Sequence, residues 1–193
     1  MGREFELKFA ARSQVLEQLF RDYPGAWSTT EMETTYYDTF DARLSRRSWT
    51  LRRRLENGKS ICTLKTPDEN GGRGEWEAEC RNILSAVPVL CKLGAPQELM
   101  IFSISGLQEI CGARFTRRAL TLDVDGGKVE LALDEGVLTG GGREKPLCEV
   151  EVELKAGEDR VARDFAALLA KAYGLTPEHQ SKHRRAMGLL FGE

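Results

Sequence analysis

Over most of this chain, hydrophobic and polar residues alternate with a period of two. In residues 3–9, Phe5, Leu7 and Phe9 alternate with Glu4, Glu6 and Lys8, which predicts a strand with one apolar face and one charged face. The same pattern recurs. Thr50, Arg52 and Arg54 stand against Leu51, Arg53 and Leu55, and Glu75, Glu77 and Glu79 stand against Trp76, Ala78 and Cys80. Arg117, Thr121 and Asp123 oppose Leu120, Leu122 and Val124. Lys128, Glu130 and Asp134 oppose Val129, Leu131 and Leu133, and Glu149, Glu151 and Glu153 oppose Val150, Val152 and Leu154. Strands are therefore predicted over residues 3–9, 31–38, 49–57, 60–66, 73–81, 115–124, 128–134 and 148–155. Asn57-Gly58 and Asp125-Gly126-Gly127 are hairpin turns by composition. Residues 67–74 and 136–144 are glycine-rich and predict flexible loops.

Elsewhere the period shifts toward that of a helix. Val15, Leu16, Leu19 and Phe20 predict a helix over residues 12–23, stopped by Pro24-Gly25. Residues 85–110 predict two or three short helices packed on the sheet. Val161, Phe165, Leu168 and Leu169 predict a helix over 158–173 ended by Gly174, and Pro177 opens a last helix over 178–190. His179 and His183 are four apart in that helix. No Glu stands at position 180, so the zinc-protease spacing is missed, and both histidines are expected to be exposed.

The charges on the strand faces change the picture. Three carboxylates on one face repel each other unless cations lie opposite or a metal sits between them. A sheet closed on itself would gather these carboxylates and the Arg and Lys groups around one cavity, suited to a polyanion with a divalent cation. Parity alone leaves one point open, since Ile61, Thr63 and Lys65 alternate imperfectly with Cys62, Leu64 and Thr66.

Composition narrows the classes. The chain has 193 residues, 41% of them hydrophobic, which suits a single domain over 1–193. Its 28 basic and 30 acidic residues give a net charge of −2, and no basic tail points to nucleic acid. No apolar leader and no apolar run of about 18 residues is visible, so no membrane partner is expected. Five cysteines without close pairing fit a reducing, cytoplasmic setting, mostly as small hydrophobes. A homodimer is compatible with the chain.

These residue types suit phosphoanhydride hydrolysis. That reaction needs charge neutralisation on phosphoryl oxygens, an in-line water and usually a divalent metal. Lys and Arg supply the first, and carboxylates bind hard cations. Glu4, Glu6, Glu149 and Glu151 would hold Mg2+ or Mn2+ if the first and last strands approached across the cavity. No nucleophilic constellation competes with this route.

The motifs, taken in order, resemble the CYTH superfamily, also called triphosphate tunnel metalloenzymes. They are Glu4-x-Glu6-x-Lys8, Tyr36-Tyr37-Asp38-Thr39, Leu51-Arg52-x-Arg54, Thr63-Leu64-Lys65 and Glu75-x-Glu77. They continue through Phe115-Thr116-Arg117, Glu130 to Asp134, Glu149-x-Glu151-x-Glu153-Leu154-Lys155 and Ser181-Lys182. The resemblance spans essentially the whole chain. It implies a mainly β (α+β) fold: an eight-stranded antiparallel β-barrel tunnel with external helices, the C-terminal pair packing on or closing the tunnel. It also implies that Lys8, Arg52, Arg54, Lys65, Arg117 and Lys182 grip phosphates, and that Glu4, Glu6, Asp134, Glu149 and Glu151 hold metal and orient water. By the same resemblance the catalytic set is Glu4, Glu6, Lys8, Lys65, Glu149 and Glu151, with Glu75, Glu77, Glu130 and Glu153 as further tunnel acids.

Within the superfamily, Glu149 to Lys155 followed by Ala156-Gly157-Glu158-Asp159 looks most like the bacterial inorganic triphosphatase branch. Many members of that branch carry a C-terminal CHAD domain. The chain stops at Glu193 before any such domain, which implies a stand-alone member or a piece of a longer protein. The expected reaction is metal-dependent hydrolysis of inorganic triphosphate. Rival readings are hydrolysis of thiamine or nucleoside triphosphates, cyclisation of ATP, and non-catalytic polyphosphate binding. Trp27, Trp49 and Trp76 are the aromatics that a base or thiamine pocket could use.

Overall fold

The computed structural model describes residues 5–67 and 73–192. Glu4 and most of the glycine-rich loop expected at 67–74 lie outside the described residues. The element order is β1 (Glu6–Ala10), α1 (Ser13–Asp22), β2 (Ser28–Asp38), β3 (Thr50–Glu56), β4 (Lys59–Pro67) and β5 (Arg73–Glu79). There follow α2 (Ile83–Lys92), α3 (Glu98–Ile104), β6 (Gln108–Val124), β7 (Gly127–Gly140), β8 (Arg143–Ala156), α4 (Asp159–Tyr173), β9 (Thr176–Pro177) and α5 (Lys182–Phe191).

The fold is mixed α/β, built on a nine-stranded antiparallel sheet ordered β5-β4-β3-β2-β6-β7-β8-β1-β9. This corrects the expectation of an eight-stranded barrel. Closure needs the outermost strands to pair, whereas β5 and β9 end the order. β9 is only two residues long, and its Pro177 has no N–H to donate, so the ladder stops there.

The chain divides into two compact units, to which the long strands β2, β6, β7 and β8 each contribute residues. In the first unit, Glu6, Leu7, Lys8, Phe9 and Ala10 of β1 stand opposite Glu153, Val152, Glu151, Val150 and Glu149 of β8. Directly opposed residues share a face. The apolar face of Phe9, Val150 and Val152, extended by Val129, Leu131 and Leu133 of β7, packs on α1 and α4. Leu16 and Leu19 of α1 and Leu169 of α4 are buried there, and Gly174 in left-handed conformation ends α4. The charged face of the same strands is left for chemistry.

The second unit repeats the scheme. Tyr37, Leu51 and Leu64 lie in one row across β2, β3 and β4, and pack on Ile83, Val87 and Leu90 of α2 and Leu99 and Phe102 of α3. The turn of the β3–β4 hairpin has positive φ at both Asn57 and Gly58, the geometry that Asn-Gly favours. Asp38 at the end of β2 is buried and accepts from the backbone N–H groups of Thr39, Leu44 and Ser45 and from the Ser45 hydroxyl, fixing the following turn.

Three element predictions shift. β6 begins at Gln108, because Gly106, with φ of 89°, ends the helical segment earlier than Ile110 suggested. The 136–144 segment is largely strand: β7 runs to Gly140, where a side chain would meet the Ala186 carbonyl oxygen at 2.5 Å, so only glycine lets α5 approach. α5 begins at Lys182 instead of residue 178. The backbone before it is engaged by β1, through Thr176 and Pro177 and through a hydrogen bond from Glu178 N to Lys8 O of 2.8 Å.

Leu169→Ala, which empties a fully enclosed position, is expected to destabilise the protein by roughly 2–5 kcal/mol in urea denaturation. A loss below about 1 kcal/mol would show that α4 is not part of the cooperative core.

Candidate functional site

The charged face of the first unit gathers Glu6 and Lys8 from β1, Arg117 from β6, Glu130 and Asp134 from β7, and Glu149, Glu151 and Glu153 from β8. Three of these acids converge. One carboxylate oxygen each from Asp134, Glu149 and Glu151 lies within 4.8 Å of the others, and all three side chains are buried. Period-two alternation places Glu149 and Glu151 on one face of β8, and the neighbouring strand β7 supplies Asp134.

Arg117 ties the cluster together. Its Nε and Nη2 donate to the two carboxylate oxygens of Asp134, each at 2.7 Å, and Nη2 also donates to Glu151. Burial by itself lowers the guanidinium pKa. The hydrogen bonds and charge of Asp134, together with Glu151, outweigh that effect and hold it well above the ordinary arginine value. An all-oxygen donor set of this kind fits a hard divalent cation. The residues present fit Mg2+ or Mn2+.

The other acids are arranged differently. Glu6 is exposed, pairs with Lys8 at 3.8 Å and stands opposite Glu153. β1 and β8 are adjacent partners, so Glu6 does not face Glu149 and Glu151 across a cavity. Glu130 and Glu153 share Lys155, at 3.5 and 2.8 Å. Lys155 was not among the expected site residues, although its parity with Glu149, Glu151 and Glu153 was visible. Lys8, directly opposite Glu151, brings a second cation to the face.

The second unit carries a basic face. Tyr36, Arg52, Thr63 and Glu77 form one row across β2 to β5, with Lys65 opposite Thr50 and Glu75 in the next. The pairing resolves the parity question: Lys65 shares its face with Arg52 and Arg54. Lys65 pairs with Glu75 at 3.0 Å, Thr63 Oγ1 donates to Glu77 at 3.2 Å, and Arg54 pairs with Glu56 at 2.5 Å. Lys182, in the first turn of α5, acts electrostatically on Tyr36 together with Arg52.

The histidine expectation holds only for His179. His183 is half-buried and stacks on Tyr36, with ring centroids 4.7 Å apart. Of the cysteines, Cys62, Cys91 and Cys111 are buried, Cys80 and Cys148 are partly exposed, and all five are free thiols. Burial pushes the Cys62 thiol up to about 11 and Cys111 up to about 12, so these behave as inert hydrophobes. The three tryptophans are engaged in packing. Trp27 donates to Tyr23 O and lies against Phe20, Trp49 against Phe102, and Trp76 against the core under α2.

A family model for the CYTH domain matches residues 2–187. The chain belongs to the CYTH family. An inorganic triphosphatase from Haemophilus influenzae is 29% identical over 199 aligned positions, covering 100% of this CYTH chain and 56% of the relative. The chain thus spans little more than half the length of that relative. Among solved structures, a protein from Pyrococcus horikoshii OT3 has a TM-score of 0.62 at 22% identity, covering 96% of this chain and 99% of that one. A Hippeastrum protein, studied as an adenylyl cyclase and described as having a dominant triphosphatase activity, has a TM-score of 0.61 at 18% identity, covering 96% and 94%. At these identities the two structures show a shared fold. Among the described residues of this CYTH chain, no helix is long and apolar enough to cross a membrane.

Burial is the main influence on the His183 imidazole and lowers its pKa; Asp38 raises it and Arg184 lowers it further. A neutral histidine with a depressed folded pKa contributes stability that is complete above the unfolded value of about 6.5 and fades as pH falls through the folded one. Between pH 7 and 5, His183→Phe is therefore expected to lose less stability than wild type, read as the shift of the urea midpoint. Parallel loss in the two proteins would contradict this.

Proposed function

We propose that this CYTH chain hydrolyses inorganic triphosphate to diphosphate and phosphate in a reaction that depends on Mg2+ or Mn2+. The observation that carries this reading is the convergence of Asp134, Glu149 and Glu151, a buried all-oxygen set of the kind that binds a hard divalent cation. The likeness to an inorganic triphosphatase over the full chain supports it, as does the triphosphatase activity described for the Hippeastrum protein.

In this reading Asp134, Glu149 and Glu151 hold the cation, with Glu6 of β1 and, two residues before it in the sequence, Glu4 adding charge. The cation, when bound, neutralises phosphate oxygens. Arg117 fixes Asp134 by two-point hydrogen bonding and orients Glu151, so the donor set is arranged before anything binds. Lys8 and Arg117 offer positive charge to phosphoryl oxygens, and so do Arg52, Arg54, Lys65 and Lys182 of the basic face. Glu75 and Glu77 hold Lys65 and Thr63, while Glu130 and Glu153 hold Lys155; these four acids are structural supports of the charged faces. Hydrolysis forms one P–O bond from water and breaks the P–O bond to the bridging oxygen. Diphosphate leaves, and the proton lost by water passes to the carboxylate cluster.

The test is phosphate release from inorganic triphosphate, thiamine triphosphate and ATP, each with Mg2+, Mn2+ or a chelator. Strong cation-dependent release from inorganic triphosphate is expected, reduced at least about a hundredfold by Glu149→Gln or Glu151→Gln in folded protein. Preference for thiamine triphosphate or ATP would move the substrate. Absence of release from all three, with triphosphate still bound, would make the chain a polyphosphate-binding module.

A further inference from the structure

The charged face of β8 continues past the acidic cluster. Beyond Glu149 and Glu151 the same parity presents Glu153 and Lys155, while Val150 and Val152 are buried on the other side. Glu130 joins them from β7, between the buried Val129 and Leu131. Lys155 Nζ lies 2.8 Å from Glu153 and 3.5 Å from Glu130, so one ammonium is shared by carboxylates from two strands. Glu153 in turn stands opposite Glu6 of β1, which pairs with Lys8 at 3.8 Å.

This second group has the same kind of donors as the first. Glu130 and Glu153 come from β7 and β8, as Asp134 and Glu149 do, and carboxylate oxygens suit a hard cation in either place. Same-face residues of a strand lie about 7 Å apart, so Glu153 is near enough to Glu151 to compete for one ion. The side chains of Glu130 and Glu153 are each 24% exposed, whereas Asp134 is fully enclosed, which makes the outer pair the easier to reach from solvent. Lys155 already fills that place with a compact positive charge and three donors. Because it belongs to the chain, it reaches the carboxylates without the translational cost of capturing a free ion.

We propose that Lys155 is a positioning residue: it occupies the Glu130 and Glu153 pair and thereby confines the divalent cation to Asp134, Glu149 and Glu151. The inference rests on the reading of those three acids as the cation site. Removing the ammonium unmasks two neighbouring acids, and like charges so placed attract a cation. An ion drawn there stands one same-face step from Glu151, away from Arg117 and the carboxylates that it orients. Ion pairs with this much exposure add little to stability, so the sheet is expected to tolerate replacement of Lys155.

The test is titration with Mn2+ followed through the electron paramagnetic resonance signal of the free ion, which reads occupancy without turnover. Wild type is expected to take up one equivalent, and Lys155→Met a second. Lys155→Arg keeps the charge and is expected to stay at one. The double variant Lys155→Met/Glu153→Gln, which also removes the unmasked donor, is expected to return to one. In the Lys155→Met background, Glu149→Gln is expected to abolish the first equivalent and leave the second. Thermal melting checks folding; if Lys155→Met melts early, Lys155→Gln decides in its place. A second equivalent in wild type or in Lys155→Arg would overturn the confinement. So would a gain that survives Glu153→Gln, or loss of both equivalents with Glu149→Gln. Wild-type uptake of one equivalent that Lys155→Met leaves unchanged would refute the confinement alone. Wild-type protein that takes up no Mn2+ would refute the cation site, and the confinement with it.

Discussion

Charge balance around Arg117 is the constraint on which the candidate site depends. Asp134 and Glu149 are fully enclosed and Glu151 nearly so, a placement that carboxylates adopt only when their charge is met. Arg117 meets part of it with a two-point grip on Asp134 and a further hydrogen bond to Glu151. The three carboxylates together offer an all-oxygen donor set, which fits a hard divalent cation. The apolar sides of the same strands explain why the arrangement is held firmly. Val150 and Val152 alternate with Glu149 and Glu151, so the packing against α1 and α4 that secures one face fixes the aim of the other.

The second unit uses the same division of labour. Leu51 and Leu64 pack under α2 and α3, and the opposite parity presents Arg52, Arg54 and Lys65. Most cations and acids there are paired with each other, as in Lys65 with Glu75 and Arg54 with Glu56. A face of this kind is pre-organised: its side chains are held by neighbours, and little motion is needed when an anion takes over one of the partners.

Much of this was legible in the sequence because period-two alternation reports sheet faces directly. The residues of the acidic cluster and of the basic face stood out by parity and by their order along the chain, and the CYTH resemblance drawn from them is matched across residues 2–187. What parity could not give was the termination of the sheet. Closure depends on which outer strands find each other, and the two-residue β9 with its proline ends the order without any strong local pattern. Nor could it give the close approach at Gly140, which turned an expected loop into strand, or the seat of His183. That histidine appears polar and surface-bound in sequence, and only the packing of α5 brings it against Tyr36. Glu6 and Glu149, which seemed to meet across a cavity, belong to neighbouring strands instead.

The central claim, that Asp134, Glu149 and Glu151 form a divalent-cation site, is tested most directly by titrating the protein with Mn2+ and following the free-ion signal by electron paramagnetic resonance. The account predicts that the signal is suppressed until at least one equivalent is bound, and that Glu149→Gln, which preserves size but removes charge, abolishes this suppression. A wild-type titration indistinguishable from buffer, or one unchanged by Glu149→Gln, would contradict it.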